Sequence, residues 1–287
     1  MNKIGLIAGA GKFPVLFAKE AVRNGCEVYV AGIKGVTSPE LESIAASVEY
    51  FRLGQISGPI NFFTKNGVAK TAMSGLVRHS SIFGGVMPDL RGAKVLALLK
   101  DMRAQTILGA IADELKRDGI ELVSSATFLE HLLAPNGSLT KAKPDKIQLS
   151  NIALGWKIAK ELSRMDVGLT AVLADMSVVA LEGMEGTDAC ILRAGDIYRR
   201  ALDDGFPKGK SGLVVVKVAR QKQDFRFDLP VIGKGTMESM EKAGAKTLAV
   251  EAGRTLIIEK EEVLAMANKQ GISITGFDNS LISGTQY

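Results

Sequence analysis

The sequence predicts an α/β protein in two parts, an N-terminal Rossmann-like parallel-sheet domain and a distinct C-terminal α/β (α+β) domain. Three observations carry this expectation. Short apolar runs alternate with amphipathic stretches from Lys3 to Ser124, the pattern of strand and crossover helix in a doubly wound sheet. That rhythm lapses between Ala134 and Pro144 into Pro, Asn, Gly, Ser and Lys, a composition suited to a crossing between domains. Beyond it, two apolar runs separated only by Asp175-Met176 read as a tight hairpin, which requires antiparallel strands. The expected boundaries are 1–134 for the first domain, 135–148 for a linker, 149–277 for the second domain and 278–287 for a polar tail.

The elements follow in order. Lys3 to Ala8 is a buried strand running into the turn Gly9-Ala10-Gly11-Lys12-Phe13-Pro14, and the amphipathic stretch Val15 to Asn24 is a helix stopped by Gly25. Cys26 to Ala31 is a strand, Pro39 to Ala46 a helix, Val48 to Leu53 extended, Pro59 to Asn66 a helix and Thr71 to Leu76 a strand. A helical region in two pieces fills Ala93 to Arg117, and Ile120 to Ser124 closes the set. In the second half, Leu149 to Ser163 is a helix, followed by the hairpin of Gly168 to Ala174 and Ser177 to Leu181. Gly186 to Leu202 holds a helix that Gly195 is expected to interrupt, and Gly212 to Val218 is a Val-rich strand. Phe225 to Asp228 is extended, Thr236 to Ala243 a helix ending at Gly244, and Thr247 to Val250 and Thr255 to Glu259 are strands. The helix Lys260 to Gln270 and the strand Ile272 to Thr275 finish the unit.

Composition narrows the function. The formal charge of +5 comes from scattered Lys and Arg, which suits an anionic small molecule or membrane surface. No basic run interleaved with aromatics appears, which argues against nucleic acid. Cys26 and Cys190 stand alone with no Cys-x-x-Cys spacing and no secretory leader, so the chain reads as cytosolic. Its longest apolar stretch, Leu169 to Leu181, is too short to span a bilayer, so any membrane contact is peripheral. Two histidines, His79 and His131, are too few for a His-rich dinuclear site or a zinc site of the His-x-Glu type, and they argue against most Ser-His-Asp hydrolases.

Several groups carry candidate chemistry. Gly9, Gly11 and Lys12 lie in a turn able to approach a phosphate, but Pro14 replaces the third glycine of a dinucleotide fingerprint, and Tyr29-Val30-Ala31-Gly32 has no carboxylate for a ribose. A nicotinamide cofactor is not expected. Gln55, Arg78 and Pro88-Asp89-Leu90-Arg91-Gly92 follow sheet strands or precede the long helical region, on the edge where open α/β sheets bind ligands, and the planar fork of Arg78 matches two phosphate oxygens. Glu185, Asp188, Asp224, Asp228 and Glu251 form the richest acidic set, the oxygen ligands that a hard cation needs. Asp228 precedes Leu229-Pro230, and Lys217, Arg220, Lys222 and Arg226 nearby can neutralise phosphate.

Six segments, Leu53-Gly54-Gln55, Pro88 to Gly92, Leu139-Thr140-Lys141, Glu185-Gly186-Thr187-Asp188, Gln223 to Pro230 and Ala249-Val250-Glu251-Ala252-Gly253, occur in one order, and together they resemble the LpxI-type UDP-2,3-diacylglucosamine pyrophosphatase family from Ile4 to about Gly276. The resemblance implies metal-dependent hydrolysis of UDP-2,3-diacylglucosamine to 2,3-diacylglucosamine 1-phosphate (lipid X) and UMP, a cytoplasmic step of lipid A synthesis. It also implies a Rossmann-like first domain, a catalytic second domain and a lipid held between them. The aspartate of the family's Asp-x-Pro motif matches Asp228 and is the residue most closely tied to catalysis. Two departures are visible: Asp175-Met176-Ser177 stands where a Gly-bearing turn is common, and the polar tail from Asp278 runs past the usual end.

On this reading Asp228, Asp188 and Glu185 are the catalytic candidates, with Asp228 and Asp188 holding Mg²⁺ or another divalent cation. Gly9, Gly11, Lys12, Gln55, Arg78, Thr187, Lys217, Gln223, Asp224, Glu251 and Gly253 are the substrate-binding candidates. The expected partner is a glycolipid nucleotide, with peripheral contact at the cytoplasmic face of the inner membrane and a homodimer also on the list. The alternatives are a non-catalytic nucleotide-sugar or lipid-binding protein and, from the opening Gly turn, a nicotinamide-dependent oxidoreductase.

Overall fold

The computed structural model describes residues 2–77, 87–101, 103–205, 209–220, 226 and 229–278. The chain divides into two compact units, the first within Met1–His131 and the second within Leu132–Gln223 and Leu229–Tyr287. It is an α/β protein with a parallel sheet in the first unit and a mixed sheet in the second.

The first unit runs β1 (Asn2–Ala8), α1 (Phe13–Arg23), β2 (Cys26–Ile33), a 3₁₀ turn (Pro39–Ser43), β3 (Ser47–Phe51), α2 (Ser57–Lys65), β4 (Lys70–Ser74), α3 (Leu90–Leu98), α4 (Ala104–Arg117) and β5 (Glu121–Leu122). The sheet order is β3-β2-β1-β4-β5 with every pairing parallel. β1 is central and reads as a continuous apolar run because both of its faces are covered, with Leu6 and Ala8 fully buried. Pro14 lies in the first turn of α1, where a missing N–H costs nothing, and Gly25 at φ +77° takes the left-handed turn past the helix end.

The second unit runs β6 (Gly137–Ser138), α5 (Lys146–Arg164), β7 (Thr170–Ala174), β8 (Ser177–Leu181), α6 (Thr187–Asp203), β9 (Val214–Lys217), β10 (Val231–Ile232), α7 (Lys234–Ala243), β11 (Thr247–Glu251), β12 (Leu256–Ile257), α8 (Lys260–Gln270) and β13 (Ser273–Phe277). The main sheet is ordered β6-β13-β11-β9-β7-β8, with β13, β11 and β9 parallel and β6, β7 and β8 antiparallel to their neighbours. β10 and β12 form a separate parallel pair. The Val run of β9 serves both faces: Val214, Val216 and Val218 pack with Ile152 and Trp156 of α5, while Val215 joins Ile191, Met237 and Val263 of α6 to α8. Successive side chains of a strand point to opposite faces, so a strand covered by helices on both sides must be apolar throughout.

The structure departs from the sequence expectations at several places, among them these four. Pro39–Ser43 is a 3₁₀ turn capped by Ser38, because only Leu41 in it is buried and nothing rewards a longer helix. Gly195 does not interrupt α6; it lets α6 cross α7 closely, since a Cβ there would lie 2.5 Å from Ala243 Cα. The stretch expected as a linker is built into the second unit: Gly137–Ser138 pairs with β13, and Asp145 with Gln148 forms a capping box on α5. The expected strand Thr255 to Glu259 shrinks to the two residues of β12.

The hairpin of β7 and β8 forms as expected, with Asp175 and Met176 both at positive φ, the signature of a mirror-image turn. Two L-residues hold that conformation because partners secure them. The Asp175 carboxylate accepts from Lys210 N (3.0 Å) and Ser211 N (3.1 Å), Asp175 N donates to Ser211 Oγ (2.8 Å), and Met176 N donates to Asn151 Oδ1 (2.9 Å).

Candidate active site

The end of β9, the start of α6 and the end of β11 concentrate the polar groups of the second unit. Lys217 is the last residue of β9, opposite Thr170 of β7, and is buried at 7% exposure. Its Nζ donates to Thr187 Oγ1 at 2.8 Å. Thr187 opens α6 after Gly186, which sits at φ +83° and so admits a residue without a Cβ most easily. Thr187 Oγ1 lies 3.2 Å from Thr170 Oγ1 and within 3.2 and 3.3 Å of the two Glu182 carboxylate oxygens, while Leu169 N donates to Glu182 Oε2 at 3.2 Å. Lysine, hydroxyl and carboxylate thus form one network at a helix N-terminus, where the backbone dipole favours negative charge.

Asp188 lies in the first turn of α6 and is exposed. Its Oδ1 accepts from Thr236 Oγ1 of α7 at 3.0 Å, and Oδ2 lies towards Gly235, where an added Cβ would stand 3.3 Å away. Among the described residues no donor engages Oδ2. Glu185 is committed differently. Its Oε1 accepts from Arg193 at 2.5 Å and Oε2 from Gly183 N at 3.0 Å, and the Arg193 guanidinium holds the carboxyl below its ordinary range.

Glu251 ends β11 and is 6% exposed. Oε2 accepts from Ala219 N (2.7 Å) and Lys160 Nζ (2.5 Å), and Oε1 accepts from Arg254 Nη1 (3.2 Å). Burial lowers the Lys160 pKa, against the raising effect of Glu251. Gly253 stands in the turn after β11 at φ +67°, with its N donating to Ala134 O at 2.8 Å.

Two of the first-unit candidates, Gly9 and Gln55, serve its backbone. Gly9 N donates to Ser74 O (2.8 Å) and Ala10 N to Leu76 O (2.9 Å), so these amides extend the sheet instead of facing a phosphate. Gly9 is required there because a Cβ would meet Gly75 C at 2.9 Å, whereas Gly11 is a left-handed turn residue with open space and Lys12 is the N-cap residue of α1. Gln55 Oε1 accepts from Arg52 N at 2.8 Å and closes its own turn. Arg78, Gln223, Asp224 and Asp228 lie outside the described residues.

The structure therefore gathers Thr187, Asp188 and Glu185 at the start of α6, with Lys217 bonded to Thr187, and it sets Glu251 in a buried ion pair. Glu182 and Lys160 escaped the sequence reading. Glu182 carried one usable signal, a carboxylate directly after an apolar strand and before a Gly-rich turn; Lys160 carried none, being a lone lysine in a helix. Among the described residues, no group of three or more His, Cys, Asp or Glu is arranged to hold a metal ion. The free Asp188 oxygen can serve a hard cation as one ligand at most. No described helix is long and apolar enough to cross a membrane.

Two family models share the chain, the LpxI N-terminal domain over residues 3–132 and the LpxI C-terminal domain over residues 135–275. The chain belongs to the LpxI family. A relative from Caulobacter vibrioides, the UDP-2,3-diacylglucosamine pyrophosphatase LpxI, is 31% identical over 282 residues, 97% of this chain and 98% of its own length. Family membership thus agrees with the ordered segments read from the sequence. Among solved structures, the biotin carboxylase subunit of pyruvate carboxylase aligns at 13% identity over 75% of this chain and 44% of that chain, with a TM-score of 0.26. A phosphoribosylglycinamide synthetase from Anaerococcus prevotii aligns at 14% identity over 62% and 38%, with a TM-score of 0.25. Neither likeness is deep enough to support an argument.

Proposed function

We infer that this LpxI-family chain is a UDP-2,3-diacylglucosamine pyrophosphatase, releasing lipid X and UMP as a step of lipid A synthesis. The observation that carries the reading is the near end-to-end match to a named pyrophosphatase, 97% of this chain and 98% of the relative. The polar cluster at the start of α6 supports it: buried Lys217 and the helix N-terminus favour phosphate oxygens, and Asp188 offers an uncommitted carboxylate oxygen.

The proposal extends to a divalent cation, Mg²⁺ by its oxygen ligands, held by Asp188 and Asp228. Glu185 is left out of the pair because Arg193 and Gly183 N occupy both its oxygens. When bound, such an ion polarises a diphosphate and lowers the pKa of water. The chain's own residues do the rest: Lys217 draws the anion towards Thr187, and Thr236 fixes the Asp188 rotamer. Engagement of the acyl chains by both units, a cytoplasmic location, peripheral membrane contact and a homodimer belong to the same proposal.

Incubation with UDP-2,3-diacylglucosamine and Mg²⁺ in oxygen-18 water, followed by mass spectrometry, tests it. Lipid X and UMP should appear with one oxygen-18 in a single product, and Asp228→Ala should remove the activity while the protein stays folded. Tight binding without UMP release would favour a non-catalytic binding protein, and undiminished turnover by Asp228→Ala would end the role of that residue.

A further inference from the structure

Both carboxylate oxygens of Glu251 are engaged within the protein. Its two oxygens take three donors, and two of its partners grip the same stretch of backbone: Lys160 Nζ donates to Ala219 O at 3.0 Å as well as to Glu251, and Arg254 Nη2 donates to Arg220 O at 3.2 Å. The ladder between β9 and β11 ends at Lys217 opposite Val250. Past that point side chains take over, with Ala219 held at both its N–H and its C=O and Arg220 at its C=O. Asp166 adds an ion pair to the Arg220 guanidinium. The same turn secures the far side: Leu256 N donates to Pro230 O and Ile258 N to Ile232 O, both at 2.9 Å. Residues 251–258 thus hold Ala219 and Arg220 on one side and Pro230 and Ile232 on the other, and Asp228 lies between them in the sequence.

A buried ion pair is a poor choice for stability alone, because apolar residues of equal volume usually stabilise as well or better. What charge supplies and apolar packing does not is direction, here three donors and two carbonyls set in fixed geometry. Lys160 is further confined by Trp156, its Nζ lying 5.0 Å from the ring centroid.

We propose that Glu251, with Lys160 and Arg254, is a positioning residue that fixes the chain at Ala219 and Arg220, just before the sequence that bears Asp228, and is neither a metal nor a substrate ligand. This deepens the pyrophosphatase reading and rests on it for its kinetic arm. A misplacement of about 1 Å at a reacting group costs on the order of 100-fold in rate.

The test combines kinetics with hydrogen exchange on Glu251→Gln, Lys160→Met, Lys160→Arg and the double variant Lys160→Met/Glu251→Gln. Expected is a fall in kcat of about 10- to 100-fold for Glu251→Gln, with KM and the Mg²⁺ concentration at half-maximal rate within about twofold of wild type. Lys160→Arg, which keeps the cation, should recover most of the turnover that Lys160→Met loses. The double variant removes both charges, so its melting temperature should return towards wild type while kcat stays low; recovery of kcat along with stability would reduce the pair to a structural role. A raised KM or a raised Mg²⁺ requirement would make Glu251 a ligand and overturn the proposal. Exchange of peptides spanning 214–232 needs no turnover: it should quicken in Glu251→Gln, and unchanged exchange would refute the proposal even if the enzyme reading stood. Absence of UMP release by wild type, with quickened exchange in the variant, would instead sink the enzyme reading and leave the clamp.

Discussion

Asp89→Ala should cost the first unit a staple that joins two helix starts. The Asp89 carboxylate accepts from Gly92 N at 2.7 Å as the N-cap of α3, and its other oxygen accepts from Ile56 N (3.1 Å) and Ser57 N (2.7 Å) at the start of α2. Losing a cap costs about 1 kcal/mol. Each amide bond to a charged acceptor contributes about 1.5–3 kcal/mol, and water replaces part of this at a half-exposed site, so the total is about 2–4 kcal/mol. The turns sit too close for an easy repair, since a Cβ on Gly92 would lie 2.3 Å from Gly54 O. Urea denaturation followed by far-UV circular dichroism reads the loss, and Asp89→Asn, which keeps one acceptor oxygen, should lose about half as much. The deficit also depends on pH. Burial raises the Asp89 pKa, but the donors from Gly92, Ser57 and Ile56 together lower it below the ordinary 3.8. A depressed folded pKa gives stability that is full above the unfolded value and disappears as pH falls through the folded one. The advantage of wild type over Asp89→Ala should therefore be full at neutral pH, begin to shrink as pH falls below about 3.8, and approach in acid the smaller advantage of Asp89→Asn, since a protonated carboxyl still accepts through one oxygen. A loss under about 0.5 kcal/mol at pH 7, or a deficit that does not shrink in acid, would refute the staple.

Three further outcomes are expected. Gly195→Ala should destabilise by about 1–3 kcal/mol in the same assay, because its Cβ would meet Ala243 Cα at 2.5 Å; an unchanged midpoint would mean that α6 and α7 do not approach so closely. Maleimide at pH 7.5 should label half-exposed Cys26 and spare Cys190, whose thiol burial pushes up to about 12, with mass spectrometry of the native protein as the check. Glu185→Gln breaks a partly exposed pair with Arg193 and should change stability by less than about 1 kcal/mol. Its kcat should stay within about threefold, while Asp188→Asn should lower kcat about 100-fold and raise the Mg²⁺ requirement.

The sheets were legible because burial imposes a period. Apolar runs flanked by glycine marked β1, β2, β4 and β9, and the two-residue gap at Asp175-Met176 was enough to mark an antiparallel pair. Less legible were features that depend on a neighbour distant in sequence. Gly195 looked like a helix breaker because its reason for being glycine is Ala243, on another helix. Lys160 looked like any surface lysine because Glu251, its partner, comes 91 residues later. β6 was hidden in a polar stretch since a two-residue edge strand needs no apolar signature when its pairing with Thr275 and Gly276 is made by backbone alone.

The six ordered segments do not all speak for chemistry, and the structure divides them. Leu53 to Gln55 and Pro88 to Gly92 are two halves of one device, since Asp89 caps α2 and α3 and Gly92 abuts Gly54 O. Leu139 to Lys141 is occupied along its length: Leu139 N donates to Ile274 O, Ile274 N to Thr140 Oγ1, and Lys141 N to Asn268 Oδ1. Ala249 to Gly253 fastens Ala219 and Ala134 through Glu251 and Gly253 N. In these four, side chains satisfy backbone groups, which is reason enough for a specific Asp, Thr or Glu without any ligand. What is left is Glu185 to Asp188, where one carboxylate oxygen of Asp188 meets no donor among the described residues, and Gln223 to Pro230, which includes Asp228. If hydrolysis depends on this chain's carboxylates, substitutions in those two segments must dominate the kinetic losses, and substitutions in the other four must act mainly through stability or through the placement of the chain near Asp228.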